Sequence, residues 1–177
     1  GSIEELVYQV TISWPMLKSL DNFLSRGPNS SFNKNRRERN MEVKSLNENH
    51  ARELLELHTL SRAGGYSQAD VIETARIMSG WGFLRDGKQG GRVESRLVGF
   101  VPGVHEPGTQ MVLGKSYDDK QNYDRKTKGQ SKLRQLVADL VRHPACMEFI
   151  SAKLCQHFIT DNPTARMVAP VIEAWQE

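Results

Sequence analysis

The spacing of apolar residues along the chain predicts a series of amphipathic helices. Residues 3–25 are predicted to hold the N-terminal helices, with a break at Trp14-Pro15, because proline lacks the amide hydrogen and restricts the residue before it. The apolar positions of these helices are Leu6, Val7, Val10, Leu17, Leu20 and Leu24. Residues 26–46 are polar and basic and are predicted to form a long loop, a length typical of functional or mobile loops.

The strongest helical pattern lies within residues 47–80, for which we predict a central pair of helices. Asn47 can cap the first helix, which should run to about Leu60. Its inward face is predicted to be Ala51, Leu54, Leu55, Leu57 and His58. The second helix should begin at Ser67, whose spacing to Asp70 resembles a capping box.

Two short β-prone runs within residues 96–114 flank a turn-rich stretch and predict one two-stranded antiparallel ribbon. Residues 96–101 should pair with residues 110–113, and the ribbon should lie against helices because an isolated one is marginally stable. Residues 131–177 are predicted to be C-terminal helices, one of which opens at Pro144. Their inward positions are predicted to be Leu133, Leu136, Val137, Leu140, Val141, Phe149, Ile150, Leu154 and Phe158.

Length and composition agree with one globular domain over residues 1–177. From the predicted elements we expect a mainly α fold, a multi-helix orthogonal bundle with the short two-stranded ribbon. Apolar residues make up 38% of the chain. No apolar run approaches the ~20 residues that a transmembrane helix needs, and no signal peptide opens the sequence. The two cysteines cannot form a disulfide framework, so the compartment stays open. Gly1-Ser2 is typical of a tag remnant, so we expect the native N-terminus and any export signal to lie outside this sequence.

The net charge of +3 is unevenly distributed along the chain. Residues 26–44 contain six basic and two acidic residues, and residues 115–134 contain seven basic and three acidic residues. Such stretches are typical of solvated surface, and they can also meet phosphates or anionic surfaces. One hypothesis is therefore a nucleic-acid or anionic-surface binder through Lys34–Arg39 and Lys115–Lys128, although few aromatic residues accompany them and nucleic acid is not favoured.

Several strings along the chain occur in the order found in one known family. The strings are Pro15-Met16-Leu17, Gly27-Pro28-Asn29-Ser30, the Asn47-Glu48-Asn49 helix, Gly64-Gly65-Tyr66-Ser67, Gly80-Trp81, His105-Glu106-Pro107-Gly108, His143-Pro144 and Phe149-Ile150. Together they resemble a large bacterial family catalogued as domain of unknown function 1800. This resemblance implies a helical fold, a bacterial source and frequent export, and a protein partner encoded nearby, but no established reaction.

Members of that family are usually much longer, which implies that this chain is a trimmed part of such a domain. Glu106 stands where the family usually has aspartate, and His50 stands where tyrosine is common. The longer side chain of Glu106 keeps the carboxylate but changes its reach.

The polar residues that these motifs carry are the candidate site: Asn47, Asn49, Arg52, Glu53, Glu56, His58, Asp70, His105 and Glu106. One hypothesis is a divalent metal held by His58, His105 and Glu106, because imidazole and carboxylate ligands suit zinc, manganese or iron. An open position on the metal could activate water, so the chain would be a metal-assisted hydrolase using His105 with Glu106, Asp70 or Glu53. Glu53, Glu56 and Asp70 are further candidate ligands, but helix geometry opposes Glu56 together with His58, because residues two apart point to different sides of a helix.

The favoured hypothesis is a non-catalytic binding or assembly module that needs no cofactor. In it, the Asn47–His58 helix carries a structural polar centre whose amides and acids are buried and tie loops together. Glu48, Arg52 and Glu56 also have the spacing of an ion-pair ladder. Cys146 and Cys155 are predicted to be small buried residues.

Overall fold

A computed structural model describes residues 2–84, 97–118 and 129–176. In these ranges the chain forms eight α-helices and four short strands, so the fold is mainly α, as predicted. The helices are α1 Ile3–Thr11, α2 Trp14–Ser19, α3 Ser31–Glu38, α4 Asn49–Glu56, α5 Gln68–Met78, α6 Gln130–Val141, α7 Pro144–Phe158 and α8 Ala165–Gln176. Arg96 and residues 119–128, which belong to the predicted ribbon and to the second basic stretch, lie outside the described residues.

Local capping signals set the beginnings of several helices where the sequence predicts them. Ser2 accepts a hydrogen bond from the Glu5 amide at 3.2 Å and caps α1. Ser67 caps α5, and Asp70 completes a capping box by accepting from the Ser67 amide. Pro144 occupies the first turn of α7. The starts predicted at Ser67 and Pro144 are confirmed, because each depends on residues within one turn of the helix start.

The prediction of a loop over residues 26–46 is wrong in its middle, where α3 forms. Ser30 caps this helix by accepting from the Asn33 amide at 3.3 Å. The Asn33 side chain is buried and exchanges two hydrogen bonds with the backbone of Lys44, at 2.8 and 2.9 Å. The hydrogen bonds between Asn33 and Lys44 stabilise this polar helix. Helical periodicity does not reveal them, because the two residues are eleven apart.

The strands form two separate ribbons instead of the single predicted one. β1 Trp81–Phe83 pairs antiparallel with β2 Val98–Phe100, and β3 Gln110–Val112 pairs antiparallel with β4 Lys115–Tyr117. The predicted runs are therefore strands, but each pairs with a different partner. The turn between β3 and β4 is two residues long, so β3 finds a partner locally.

Helix α4 is shorter than predicted, since it ends at Glu56. Leu57 follows it with 55% of its side chain exposed, so this part of the predicted inward face is wrong. The chain then turns and Leu60 re-enters the core. Asn47 helps to start α4 by accepting from the Asn49 amide at 2.9 Å, although Glu48 occupies the capping position.

The hydrophobic core joins α1, α2, α4, α5, α6 and the strands. The inward face predicted for α6 is confirmed, whereas on α7 Leu154 and Phe158 are exposed. The buried positions of α7 are instead Cys146, Ser151 and Cys155, so the prediction of two small buried cysteines is confirmed. The orthogonal arrangement of the helices stays a prediction.

Candidate functional site

The candidate site is a buried carboxylate that joins two loops far apart in sequence. Glu106 follows a 3-10 turn at Pro102–Val104 and is buried. Its Oε2 accepts from the Asn29 amide at 2.7 Å, and its Oε1 accepts from the Asn29 side-chain nitrogen at 2.6 Å. We call this unit, with Gly27, Ser79 and His105, the Glu106 clasp.

Gly27 allows the two loops of the Glu106 clasp to approach closely. Its amide donates to the Val104 carbonyl at 2.9 Å. A Cβ atom at Gly27 would lie 2.5 Å from the backbone nitrogen of Glu106, closer than van der Waals contact permits. The glycine of the Gly27-Pro28-Asn29-Ser30 string is therefore required sterically, since any side chain would push Asn29 away from the carboxylate.

The end of α5 supplies the other side of the Glu106 clasp. The Ser79 hydroxyl accepts from the Glu106 amide at 2.8 Å and donates to the Arg76 carbonyl at 2.6 Å. His105 Nδ1 lies 2.7 Å from the Ser79 carbonyl oxygen, and because that oxygen accepts, Nδ1 carries the proton. The Ser79 backbone and side chain thus fix both residues of the His105-Glu106 pair.

The His105 ring is enclosed by close packing. Its centroid lies 5.1 Å from that of Phe100, and a Cβ atom at Gly129 would lie 2.3 Å from the imidazole. Gly129 has a φ of +91°, which a glycine adopts without steric cost. The start of α6 is therefore shaped to hold this histidine.

A fully buried lysine secures the loop that follows Glu106. The Lys132 ammonium donates to the Gly108 carbonyl and to Gln110 Oε1, both at 2.6 Å. These two oxygens replace part of the water that would otherwise surround the ammonium group. Glu106 and Lys132 therefore both hold backbone segments in place.

Asp70 has a similar structural role between α5 and the β3–β4 turn. Its Oδ1 accepts from the Leu113 amide at 2.7 Å, while Oδ2 accepts from the Ser67 amide and hydroxyl. Burial raises the pKa of Asp70, but the hydrogen bonds from Ser67 and Leu113 outweigh it and hold that pKa below its ordinary value. Asp70 is thus an ionised anchor for the turn.

The polar side of α4 is not buried, contrary to the expectation of a buried polar centre on this helix. Asn49 is exposed, and Arg52, Glu53 and Glu56 are half-buried. Arg52 donates to Gln68 at 2.8 Å and lies 3.6 Å from Glu48, so the first pair of the predicted ladder is present. These residues form a surface network, and the buried polar centre lies at the Glu106 clasp.

Glu56 takes a different partner from the one its spacing suggests. It forms an ion pair with Arg62 and accepts from the Tyr66 hydroxyl at 3.4 Å. The hydrogen bond from Arg62 lowers the pKa of the Glu56 carboxyl. The end of α4 is thereby tied to the segment that leads into α5.

The residues predicted to bind metal are not brought together. Within the described ranges, no group of three or more histidine, cysteine, aspartate or glutamate side chains is arranged to hold a metal ion. His105 and Glu106 belong to the Glu106 clasp. His58 instead follows the end of α4, near Glu53 and His50 of that helix. The set His58, His105 and Glu106 is therefore not assembled as a ligand sphere.

The cysteines do not supply a nucleophile. Cys146 and Cys155 are both buried and unpaired. Burial raises the pKa of the Cys146 thiol to about 12, so this sulfur stays protonated at neutral pH.

Sequence reasoning missed Asn29, Ser79 and Lys132 as members of the buried polar centre. Asn29 belongs to the Gly27-Pro28-Asn29-Ser30 string, which matches the family pattern. That match is a signal from which Asn29 could have been included among the candidate site residues. Ser79 and Lys132 carry no comparable signal, because their partners lie more than twenty residues away.

Comparison with known proteins agrees with the resemblance seen in the sequence. A family model described as "Protein of unknown function (DUF1800)" matches residues 1–177, the whole chain. No curated protein and no solved structure matches it. None of the described helices has the length and apolar character needed to cross a bilayer.

Proposed function

Since this chain belongs to the family described as "Protein of unknown function (DUF1800)", we propose its function from its own geometry: it is a non-catalytic binding or assembly module. The Glu106 clasp and the Asp70 anchor hold surface loops in one shape, and a protein partner binds the surface that results. The partner is a protein encoded next to the gene for this chain.

The observation that carries the proposal is the use of both Glu106 oxygens by Asn29. A carboxylate that acts as a general base or metal ligand needs an oxygen directed at substrate, water or metal. Here the two oxygens accept from the Asn29 amide and side chain at 2.7 and 2.6 Å, and the Glu106 backbone is itself bonded to Ser79.

Asp70 supports the same interpretation. Its two oxygens accept from Leu113 and Ser67, so it too serves backbone positions. Two of the three acids that the hydrolase hypothesis names, Glu106 and Asp70, are thus engaged in holding the fold. Loops held in this way suit the recognition of a partner with little rearrangement.

The test is co-expression of the tagged chain with the products of the genes adjacent to its own, followed by affinity purification and size-exclusion chromatography. We expect one of those products to co-elute with the chain as a stable complex. Glu106→Gln should weaken the complex and lower the melting temperature together, because it replaces one accepting oxygen with an amide group that cannot accept from Asn29.

Glu53→Gln is the matched control, because Glu53 is a half-buried glutamate for which the described residues supply no hydrogen-bond donor. This variant should retain both the complex and the melting temperature. The proposal is wrong if none of the adjacent products co-elutes. It is also wrong if the purified chain hydrolyses ester or phosphoester substrates and Glu106→Gln abolishes that activity without lowering the melting temperature.

A further inference from the structure

The surface around α3 is strongly basic and carries exposed apolar side chains. Residues 26–44 contain six basic and two acidic residues. The guanidinium groups of Arg26 and Arg36 lie on the Phe32 ring, each 5.6 Å from its centroid. We call α3 together with Leu24, Arg26 and residues 39–44 the basic ridge.

The basic ridge is held rigidly to the rest of the fold. The buried side chain of Asn33 donates to the carbonyls of Gly27 and Lys44, at 3.0 and 2.8 Å. The Met41 amide donates to the Arg36 carbonyl at 2.8 Å, and the Arg26 amide donates to the Ser45 carbonyl at 3.1 Å. Residues 41–45 therefore run alongside α3, and the cations project from a fixed support.

Three cations of the ridge form no ion pair with the described acids, whereas Lys44 lies 3.9 Å from Glu42. No carboxylate of the residues that the structure describes forms an ion pair with Arg36, Arg37 or Arg39. Arg36 donates to the Glu42 backbone carbonyl, which positions the guanidinium but leaves its charge. Arg37 and Arg39 are exposed. Such a surface attracts an anionic partner.

Exposed apolar side chains lie close to these charges in the sequence. Met41 is 46% exposed and Val43 is 41% exposed, and Leu24, two residues before Arg26, is 55% exposed. A surface that combines cations with exposed aliphatic side chains fits an anionic bilayer, where the charges meet headgroups and the apolar groups enter the interface.

The same features fit single-stranded nucleic acid less well. Recognition of single strands uses aromatic faces on which bases stack. Phe32 is the aromatic residue of the ridge, and Arg26 and Arg36 lie over its ring. The exposed Met41 and Val43 have no partner on a phosphate backbone, whereas a lipid interface accepts them.

We propose that the basic ridge docks the protein on the surface of an anionic lipid bilayer. Arg36, Arg37 and Arg39 contact the lipid headgroups, and Leu24, Met41 and Val43 enter the interfacial region. Binding is peripheral, weakens as salt screens the charges, and requires both the cations and the apolar side chains.

The test is sedimentation of the whole chain with vesicles of phosphatidylcholine alone or with roughly one-third phosphatidylglycerol. We expect binding to the anionic vesicles and none to the zwitterionic ones. Arg37→Gln/Arg39→Gln should weaken binding about tenfold or more, because basic residues near an anionic surface each contribute to affinity. Met41→Ser/Val43→Ser should weaken it at constant charge.

Lys153→Gln/Arg166→Gln is the matched control, since it removes the same charge from exposed positions of α7 and α8. It should bind vesicles as the unchanged chain does, and thermal melts should show that all three variants are folded. Equal losses in the control and in Arg37→Gln/Arg39→Gln would overturn the proposal, because net charge alone would then explain the binding. Failure to bind the anionic vesicles, or tighter binding to a single-stranded oligonucleotide than to those vesicles, would also overturn it.

Discussion

At the scale of single residues, His50 makes the stability of the protein depend on pH. This α4 side chain is fully buried, and neither ring nitrogen has a hydrogen-bond partner among the described residues. Burial, and secondarily the charge of His58, lowers the pKa of His50 from 6.5 to about 4. Between these values the unfolded chain binds a proton that the folded chain does not, so the free energy of unfolding falls as pH falls.

We therefore predict that acidification from pH 6.5 to about pH 4 lowers the free energy of unfolding by about 3 kcal/mol through His50. His50→Leu should remove this part of the loss, because an apolar residue of similar size has no proton to bind. Urea denaturation at several pH values measures it. His157→Gln, at an exposed position, should keep the full loss, and an unchanged pH dependence in His50→Leu would contradict the prediction.

The Glu106 clasp gives a second prediction at this scale. Glu106→Ala should lower the free energy of unfolding by about 2–4 kcal/mol, because the Asn29 amide and side chain lose a charged acceptor. Glu53→Ala should change it by less than about 0.5 kcal/mol. Chemical denaturation of both variants at pH 7 is the measurement, and similar small losses would show that the clasp does not stabilise the fold.

The sequence could identify Glu106 and Asp70 as special, but not what they bind. Asp70 was also expected to cap α5, because Ser67 lies three residues before it. Its second partner, the Leu113 amide, lies 43 residues away, and no local pattern in the sequence reveals it. The same holds for Glu106 and Asn29, which are separated by 77 residues. Local patterns predict local bonds, whereas these contacts exist only after the chain has folded.

At the scale of elements, α3 depends on one buried side chain. Asn33→Ala should lower the free energy of unfolding by about 2–3 kcal/mol, because the Gly27 and Lys44 backbone groups lose their partners in a buried place. Asn35→Ala, at an exposed position of the same helix, should be nearly neutral. Thermal unfolding of both variants tests this, and equal effects would mean that α3 is held by its backbone alone.

The ribbons show why elements were easier to predict than their pairing. β-prone residues at 98–100 and 110–112 were identified by local composition, and both form strands. Their partners depend on which neighbour is nearer in space. β4 follows β3 after Leu113-Gly114, where both residues have a positive φ, a turn geometry that leucine does not suggest.

At the scale of the whole molecule, the sequence predicts that α4 is central, and this holds for one side of the helix. The apolar side of α4 contributes Ala51, Leu54 and Leu55 to the core, whereas its polar side lies at the surface. Periodicity predicts which side of a helix faces inward, but not how much other chain covers the opposite side. The buried polar centre therefore lies at the junction of loops at Glu106 and not on α4.

The molecule is also uneven in how firmly its helices are held. The six buried residues of α6 are Lys132, Leu133, Leu136, Val137, Leu140 and Val141. In contrast, Val168 is the buried residue of α8, and Pro170 within that helix lacks the amide that would bond to the preceding turn. Local opening of α8 should thus cost less free energy than global unfolding, whereas α6 should open only with the whole core.

We predict that native-state hydrogen exchange, followed by mass spectrometry of peptides, is faster in α8 than in α6. Val168→Ala should accelerate exchange in α8 further and leave α6 unchanged, because the two helices then open in separate steps. If α8 exchanged as slowly as α6, or if Val168→Ala accelerated both equally, the two would belong to one cooperative unit. The buried Cys155 thiol donates to the Met167 carbonyl at 3.5 Å, so opening of α8 would uncover it. Thiol labelling at Cys155 should therefore accelerate in Val168→Ala, as hydrogen exchange in α8 does.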